Sequence, residues 1–485
     1  MTPLPEGYGL TLDRSVRTFR GGRVLVGGSP GRIIMLTTAG ADAVSSLVAG
    51  EPVSTAARRL GRRLVDAGLA HPRPPAPSGA PPLTRMGAGS VTVVVPVHNR
   101  TGALDRCLEA LGRDSPVVVV DDGSDDPEGV AGVCRRHGAG LIRRAANGGP
   151  AAARNEALTQ IRTGLVAFVD SDVRVTPGWI AALVPVFDDP EVGAVAPRIR
   201  PDPTPAGAVG PALRAYSEGR SSLDMGPHPG QVGPGAALRY LPAAALVVRR
   251  EAVGVGFDPR LRVGEDVDLV WRMADRGWRV RYEPSVTVFH HEPSTWAGLM
   301  GRRFRYGTSA GDLSGRFPGR LTPVELRPWP TAAVALGLTG RYGGALAVMA
   351  TSGSLLAYRV RRHGIPPLAA LRWTSQGAGW TAVGIGRAAT IVAGPVVVAM
   401  GLPRGRWRRA AAVLVLAPPL VEWWRRRPGL DPVRWVALSV VDDVAYGAGV
   451  WTGSVRARSF GPLIPAVRWS PVPAPDLHPE GARSV

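Results

Sequence analysis

The sequence has no lysine; all 58 of its strongly basic side chains are arginine. That excludes lysine Schiff-base chemistry, a phosphate-binding loop built on lysine and a Ser-Lys dyad. Cysteine is nearly absent. Cys107 and Cys134 cannot make a disulfide framework or a thiolate zinc site. No apolar run reaches 20 residues without a charge, so no segment is a clean membrane span. The N-terminal MTPLPEGYGLTLDR has no apolar stretch of secretory-signal length. Acid is scarce toward the C-terminus. Residues 1–300 hold 34 Arg and 30 acids, whereas residues 301–485 hold 24 Arg and 8 acids. The excess of +20 is therefore mostly a property of the tail, which points to an anionic surface there.

What is present divides into four stretches. Residues 1–70 read as a small α+β domain, with strand-like pieces near 18–19, 23–26 and 32–36 and helices near 39–48 and 53–68. Residues 71–90 open with HPRPPAPSGAPP, a proline-rich linker. From Val91 to about 320, apolar strands alternate with helical segments, which predicts an α/β domain with a mostly parallel sheet. Residues 321–485 read as helical. Their apolar segments, 342–358, 388–403 and 410–421, are closed by arginines, which fits helices lying in or crossing an anionic membrane. No interleaving of aromatic and basic residues resembles a base-stacking platform, so nucleic acid is not an expected partner.

Ligands of α/β domains bind beyond the carboxyl ends of the strands. Two acid clusters stand there. PVVVV runs directly into Asp121-Asp122-Gly123-Ser124, and LVAFV into Asp170-Ser171-Asp172. The Asp-x-Asp can present two hard oxygen ligands to Mg2+ or Mn2+, and such an ion would neutralise a nucleotide diphosphate. Asn147-Gly148-Gly149-Pro150 begins a small-residue helix that carries Arg154 one turn in, a candidate phosphate site. Gly264-Glu265-Asp266 opens another helix. Asp266 is the candidate base for an acceptor hydroxyl, and Glu265 is a candidate for positioning the acceptor or the base. Trp271 is a candidate for stacking on a sugar or filling core, and Arg272 for pairing a carboxylate or diphosphate. His290 is a candidate metal ligand, and Arg303 and Arg305 form a candidate diphosphate clamp, the bland alternative being a basic membrane collar.

VVVPVHNR, VVVVDDGSDD, NGGPAAARN, FVDSDV and GEDVDLVWR, in this order, resemble the family 2 glycosyltransferases. The resemblance covers roughly residues 91–310 and implies the GT-A fold and an inverting single displacement. It also implies that Pro96, Asn99, Asp122 and Asp121 hold the uracil nucleoside. Asp170 and Asp172 would then bind metal and diphosphate, and Asp266 would be the base. The processive synthases of that family carry a QxxRW signature; RRFRYG stands in the comparable region here, which argues against a translocating channel. The layout is also similar to the mycofactocin-system branch, where a PqqD-like peptide-binding domain precedes the transferase. That branch implies UDP-glucose as donor, β-1,4-linked glucose as product, a peptide-derived redox cofactor or its precursor as acceptor, and a precursor peptide at residues 1–70. The expected location is the cell membrane, with the catalytic domain on the cytoplasmic side. A lipid or cell-envelope polysaccharide acceptor, a nucleotidyltransferase and a non-enzymatic membrane scaffold are the alternatives.

Overall fold

Continuous valine-rich runs have no polar face to give to water, so they form strands covered on both sides. In the computed structural model, which describes residues 2–28, 31–75, 91–204, 209–402 and 405–469, Val91–Val97 and Leu165–Val169 are buried at every position. The linker expected at 71–90 lies outside the described residues beyond 75. The chain divides into two compact units. One comprises Met1–Ala206 and Ser221–Glu292; the other comprises Gly207–Arg220 and Pro293–Pro471.

The first unit holds a nine-stranded sheet in the order Val173–Arg174, Arg279–His290, Val192–Pro201, Ala245–Arg249, Leu165–Val169, Val91–Val97, Val117–Asp121, Gly140–Arg143, with Gly230–Val232 also on Arg279–His290. The half ending at Gly140–Arg143 is parallel, as expected. The other half is mixed, because Ala245–Arg249 runs antiparallel to both its neighbours. Parallel strands need a crossover helix, and the mostly parallel expectation held only where such helices separate the strands.

The N-terminal module belongs to this unit. Arg17–Phe19, Val24–Gly27 and Arg32–Met35 form an antiparallel sheet, followed by helices Thr38–Ala49 and Thr55–Asp66. Thr37 and Ser54 cap the two helices by accepting the backbone N–H of Gly40 and Ala57. A pairing not anticipated from the sequence, Gly9–Leu12 with Ala70–Arg73, closes the module. Leu4, Leu10, Leu25, Leu47, Leu64 and Leu69 fill its core. It docks on the catalytic sheet through buried charge. Arg62 makes a two-pronged pair with Asp189 at 2.7 and 2.9 Å, and Arg279 another with Asp66 at 2.9 Å on both arms.

The second unit is helical: Pro211–Arg220, Trp296–Arg316, Pro328–Leu338, Tyr342–Arg361, Pro367–Ile391, Gly394–Gly401, Arg406–Arg426 and Pro432–Ala457. Trp296–Arg316 and Pro432–Ala457 pack backbone to backbone. A Cβ on Gly307, Gly311, Gly449 or Gly453 would run into a carbonyl oxygen of the facing helix. That packing places the boundary at Pro293, ahead of the residue 321 expected from hydropathy. No single described helix is long and apolar enough to cross a membrane; Pro367–Ile391 and Gly394–Gly401 pass that test only together, bent by 97°.

Candidate active site

Three strand or helix ends deliver the acids. Val117–Asp121 ends on the first cluster, Leu165–Val169 on the second, and the helix Glu265–Asp275 begins with the third. The first cluster builds its own loop. Asp122 accepts the backbone N–H of Gly148 at 2.9 Å and of Gly149 at 2.7 Å, so it clamps the glycine turn to the strand end. Gly123 is at φ +73, and a Cβ there would lie 2.8 Å from the backbone nitrogen of Asn147. The turn therefore requires glycine. Asp121 accepts from the backbone N–H of Ser124 and pairs with Arg143. Asn99 has a left-handed backbone at φ 56. It is held by a reciprocal bond, its side chain donating to Asp125 while accepting the Asp125 N–H. Pro96 is buried in the adjoining strand, beside Val120 in register.

Arg154 is the centre of the arrangement. Its guanidinium is buried, donating to Glu265 Oε1 at 2.8 Å and to Asp170 Oδ1 at 2.7 Å. It also lies over the Phe257 ring, 5.2 Å from the centroid. Asn155 fixes that ring's segment by donating to Phe257 O and accepting from Phe257 N–H. Burial opposes the charge on Arg154, but Asp170 and Glu265 outweigh it and hold the cation. Arg154 thus joins the strand-end acids to the helix-start acids; its fork is committed to carboxylates rather than turned out to a phosphate.

Burial pushes Glu265 up to about 7, helped by Asp266 and opposed by Arg154. Burial raises Asp266 as well, against the backbone N–H groups of Val267 and Ala243 that it accepts. Asp266 as a residue is partly exposed.

Asp172 pairs with the exposed Arg100 at 2.6 Å, and His290 Nε2 lies 3.5 Å from its Oδ1. The antiparallel register Val173↔His290 brings these together. Two carboxylates and an imidazole are a donor set suited to Mg2+ or Mn2+, and the Asp172–His290 spacing lets both address one ion. Among the described residues no three His, Cys, Asp or Glu side chains are already gathered for one, since Asp170 is turned to Arg154.

The remaining candidates stand elsewhere. Trp271 is buried in the core, its indole N–H donating to Arg239 O, so it offers no face to a sugar. Arg272 is taken by Asp268 at 2.7 Å and by the Gly256 carbonyl. Arg303 belongs to the helical unit and pairs with Asp442 at 2.8 Å, while Arg305 is exposed on the same helix. Two further cations lie beside these motifs, Arg100 on Asp172 and Arg262 donating to Asn147 at 3.1 Å. Neither was marked in the sequence. Arg100 closes the VVVPVHNR motif, a signal that was available; Arg262 and Phe257 have none.

In this α/β unit a strand-end carboxylate meets a helix-start Glu-Asp pair across one buried arginine. Residues 92–243 match the family described as Glycosyl transferase family 2. Over 487 aligned residues the chain is 36% identical to the pre-mycofactocin glycosyltransferase of Mycobacterium tuberculosis, covering 96% of this chain and 99% of that one. It is 30% identical over 234 residues to the N-acetylglucosaminyl-diphospho-decaprenol L-rhamnosyltransferase of the same organism, covering 41% of this chain and 75% of that one. Similarity to the mannosyltransferase PcManGT from Pyrobaculum calidifontis, solved with GDP-Man and Mn2+, has a TM-score of 0.37 at 21% identity, over 72% of this chain and 91% of that one. Likeness at that level carries no functional argument. The chain belongs to glycosyl transferase family 2 and is a glycosyltransferase.

Proposed function

We propose that the protein transfers a hexose, glucose from UDP-glucose, onto a peptide-derived redox cofactor or its precursor in mycofactocin biosynthesis, extending it by β-1,4 links. The observation that carries this is the end-to-end match to the relative of that name, which includes the N-terminal module as well as the transferase domain. In this reading the precursor peptide sits on the N-terminal module. The helical unit holds the protein at the cell membrane, with the catalytic unit on the cytoplasmic side. Its arginine excess suits the anionic leaflet there.

The reaction is a single displacement. Asp266 takes the proton of the acceptor hydroxyl as that oxygen bonds to C1, and the bond from C1 to the diphosphate oxygen breaks, inverting the carbon. A divalent ion held by Asp170, Asp172 and His290 would supply positive charge to the departing diphosphate. Arg154 keeps Glu265 and Asp170 in place around the reacting centre. Asp122, Asp121, Asn99 and Pro96 form the wall assigned to the uracil nucleoside.

Incubating the full chain with UDP-glucose, Mn2+ and the peptide-derived acceptor should release UDP and add whole hexose masses to the acceptor by mass spectrometry. Hexose appearing only on an added polyprenyl lipid would move the acceptor to the cell envelope. Pyrophosphate release from a nucleoside triphosphate would make the protein a nucleotidyltransferase.

A further inference from the structure

Among the described residues, the large apolar side chains that remain exposed lie in the helical unit, apart from Met35, Val48, Leu141 and Val255. A surface of that kind is an interaction surface. Its most compact piece is an elbow. After Pro367–Ile391 the chain turns by 97° into the short helix Gly394–Gly401. Val396, Val398 and Leu402 are 59%, 66% and 80% exposed there. The next helix opens at once with Arg406, Trp407, Arg408 and Arg409, all exposed, and Arg406 stacks on the Trp407 ring at 5.4 Å.

Length decides what this element can do. Eight helical residues rise about 12 Å, against about 30 Å of hydrocarbon in a bilayer. It cannot span, and the bend turns it away from the preceding helix. An apolar tip followed by a cationic, tryptophan-bearing turn matches the depth profile of one leaflet: acyl boundary, then interface, then anionic headgroups. A soluble protein partner would need acid and apolar surface side by side. An anionic bilayer presents that combination everywhere, and the exposed cations here have no acidic neighbours in the segment 394–409.

We propose that Gly394–Gly401 with Leu402, together with the opening of helix Arg406–Arg426, forms a one-leaflet anchor, with Val396, Val398 and Leu402 inserted and Arg406, Arg408 and Arg409 on anionic lipid. This rests on the membrane association proposed above and names its mode.

The full chain is tested by flotation with vesicles of phosphatidylcholine alone and with phosphatidylglycerol added. The expected result is binding to the anionic vesicles. Replacing Val396, Val398 and Leu402 together by serine should weaken it about tenfold or more. Replacing Arg406, Arg408 and Arg409 together by glutamine should weaken it about a hundredfold at low salt. All six positions are exposed, and unchanged UDP binding by both variants checks that the fold survives. No flotation of the unaltered chain would overturn the membrane association itself. Flotation that both variants retain would leave that association standing and overturn the anchor. Sidedness gives a second reading, because the native cysteines are buried. Arg361→Cys and Arg434→Cys, at exposed positions on either side of the elbow, should both react with an impermeant maleimide outside sealed vesicles. Protection of one alone would show a crossing and overturn the one-leaflet mode.

Discussion

Asp266 and Glu265 are neighbours with different surroundings, and the proposed mechanism gives them different work. Asp266 is partly exposed as a residue and accepts backbone N–H groups of Val267 and Ala243 rather than a cation, which in the proposed mechanism leaves it to take the proton. Glu265 is tied to Arg154, so its proposed part is to hold position. Asp266→Asn should therefore lower turnover by about 10²–10⁴-fold with UDP-glucose affinity unchanged, read by initial rates and calorimetry. Normal turnover would remove the base assignment. Glu265 carries a pH signature. Its folded pKa, about 7, lies above its ordinary value. Its contribution to stability is thus full at low pH and is lost as pH rises from about 4.5 through 7. Across that window the unaltered protein should lose stability relative to Glu265→Gln. Parallel melting curves from pH 4.5 to 8 would show this as a difference in slope, and equal slopes would contradict it. Each acid was legible as a residue at a strand or helix end, because that signal is local. The arginines were legible only as arginines. Of the two partners of Arg154, Glu265 lies 111 positions away, and Asp189, the partner of Arg62, lies 127 away, distances that no spacing rule bridges.

Elements show the same division. Strands 91–97 and 165–169 and helix 265–275 follow from apolar runs and from Gly264 ahead of the acids, and the structure has them within a residue of expectation. The antiparallel half of the sheet did not follow, since Ala245–Arg249 looks like any buried strand until its neighbours are known. In the helical unit, Asp442 and Asp443 read as interruptions of an apolar segment. They turn inward instead, Asp442 to Tyr216 and Arg303, Asp443 to Arg220. The apolar helices around them are thereby held by charge at one level and by glycine at another. Gly311→Val should force Trp296–Arg316 off the Gly453 backbone and cost about 2–3 kcal/mol or more. Gly377→Ala, mid-helix with nothing within 4 Å of the added carbon, should stabilise by up to about 1 kcal/mol. Opposite shifts in chemical denaturation distinguish backbone packing from helix propensity; a loss at both positions would refute the contrast.

At the scale of the catalytic unit, the N-terminal module is built in. It docks where Val192–Pro201 and Arg279–His290 begin, through Asp189 and Glu191 ahead of one strand and Arg279 at the start of the other. The donor acids stand at the opposite end: Asp172 meets His290, the last residue of that same strand. The two ends are spanned by the paired stretch from Val192↔Arg279 to Pro201↔His290, about 25–30 Å of strand once its irregularities are allowed for. The module thus contacts the sheet at the end away from Asp172, so under the proposed function a peptide held by the module would have to reach around the domain. The Arg62–Asp189 pair is costly to break because its charges are buried. Arg62 and Asp189 are 0% and 1% exposed, so removing one abandons the other in a low dielectric. Arg62→Met should destabilise the whole unit by about 3–5 kcal/mol, and adding Asp189→Leu should restore most of the loss, because an apolar pair of similar volume can replace a buried ion pair. Calorimetry of the unaltered protein should show the module and the sheet melting in one transition, and UDP binding should be lost at the same temperature. If Arg62→Met instead splits off a small early transition while UDP binding persists above it, the module is a hinged appendage. A tethered role in delivering peptide then becomes the better account of it.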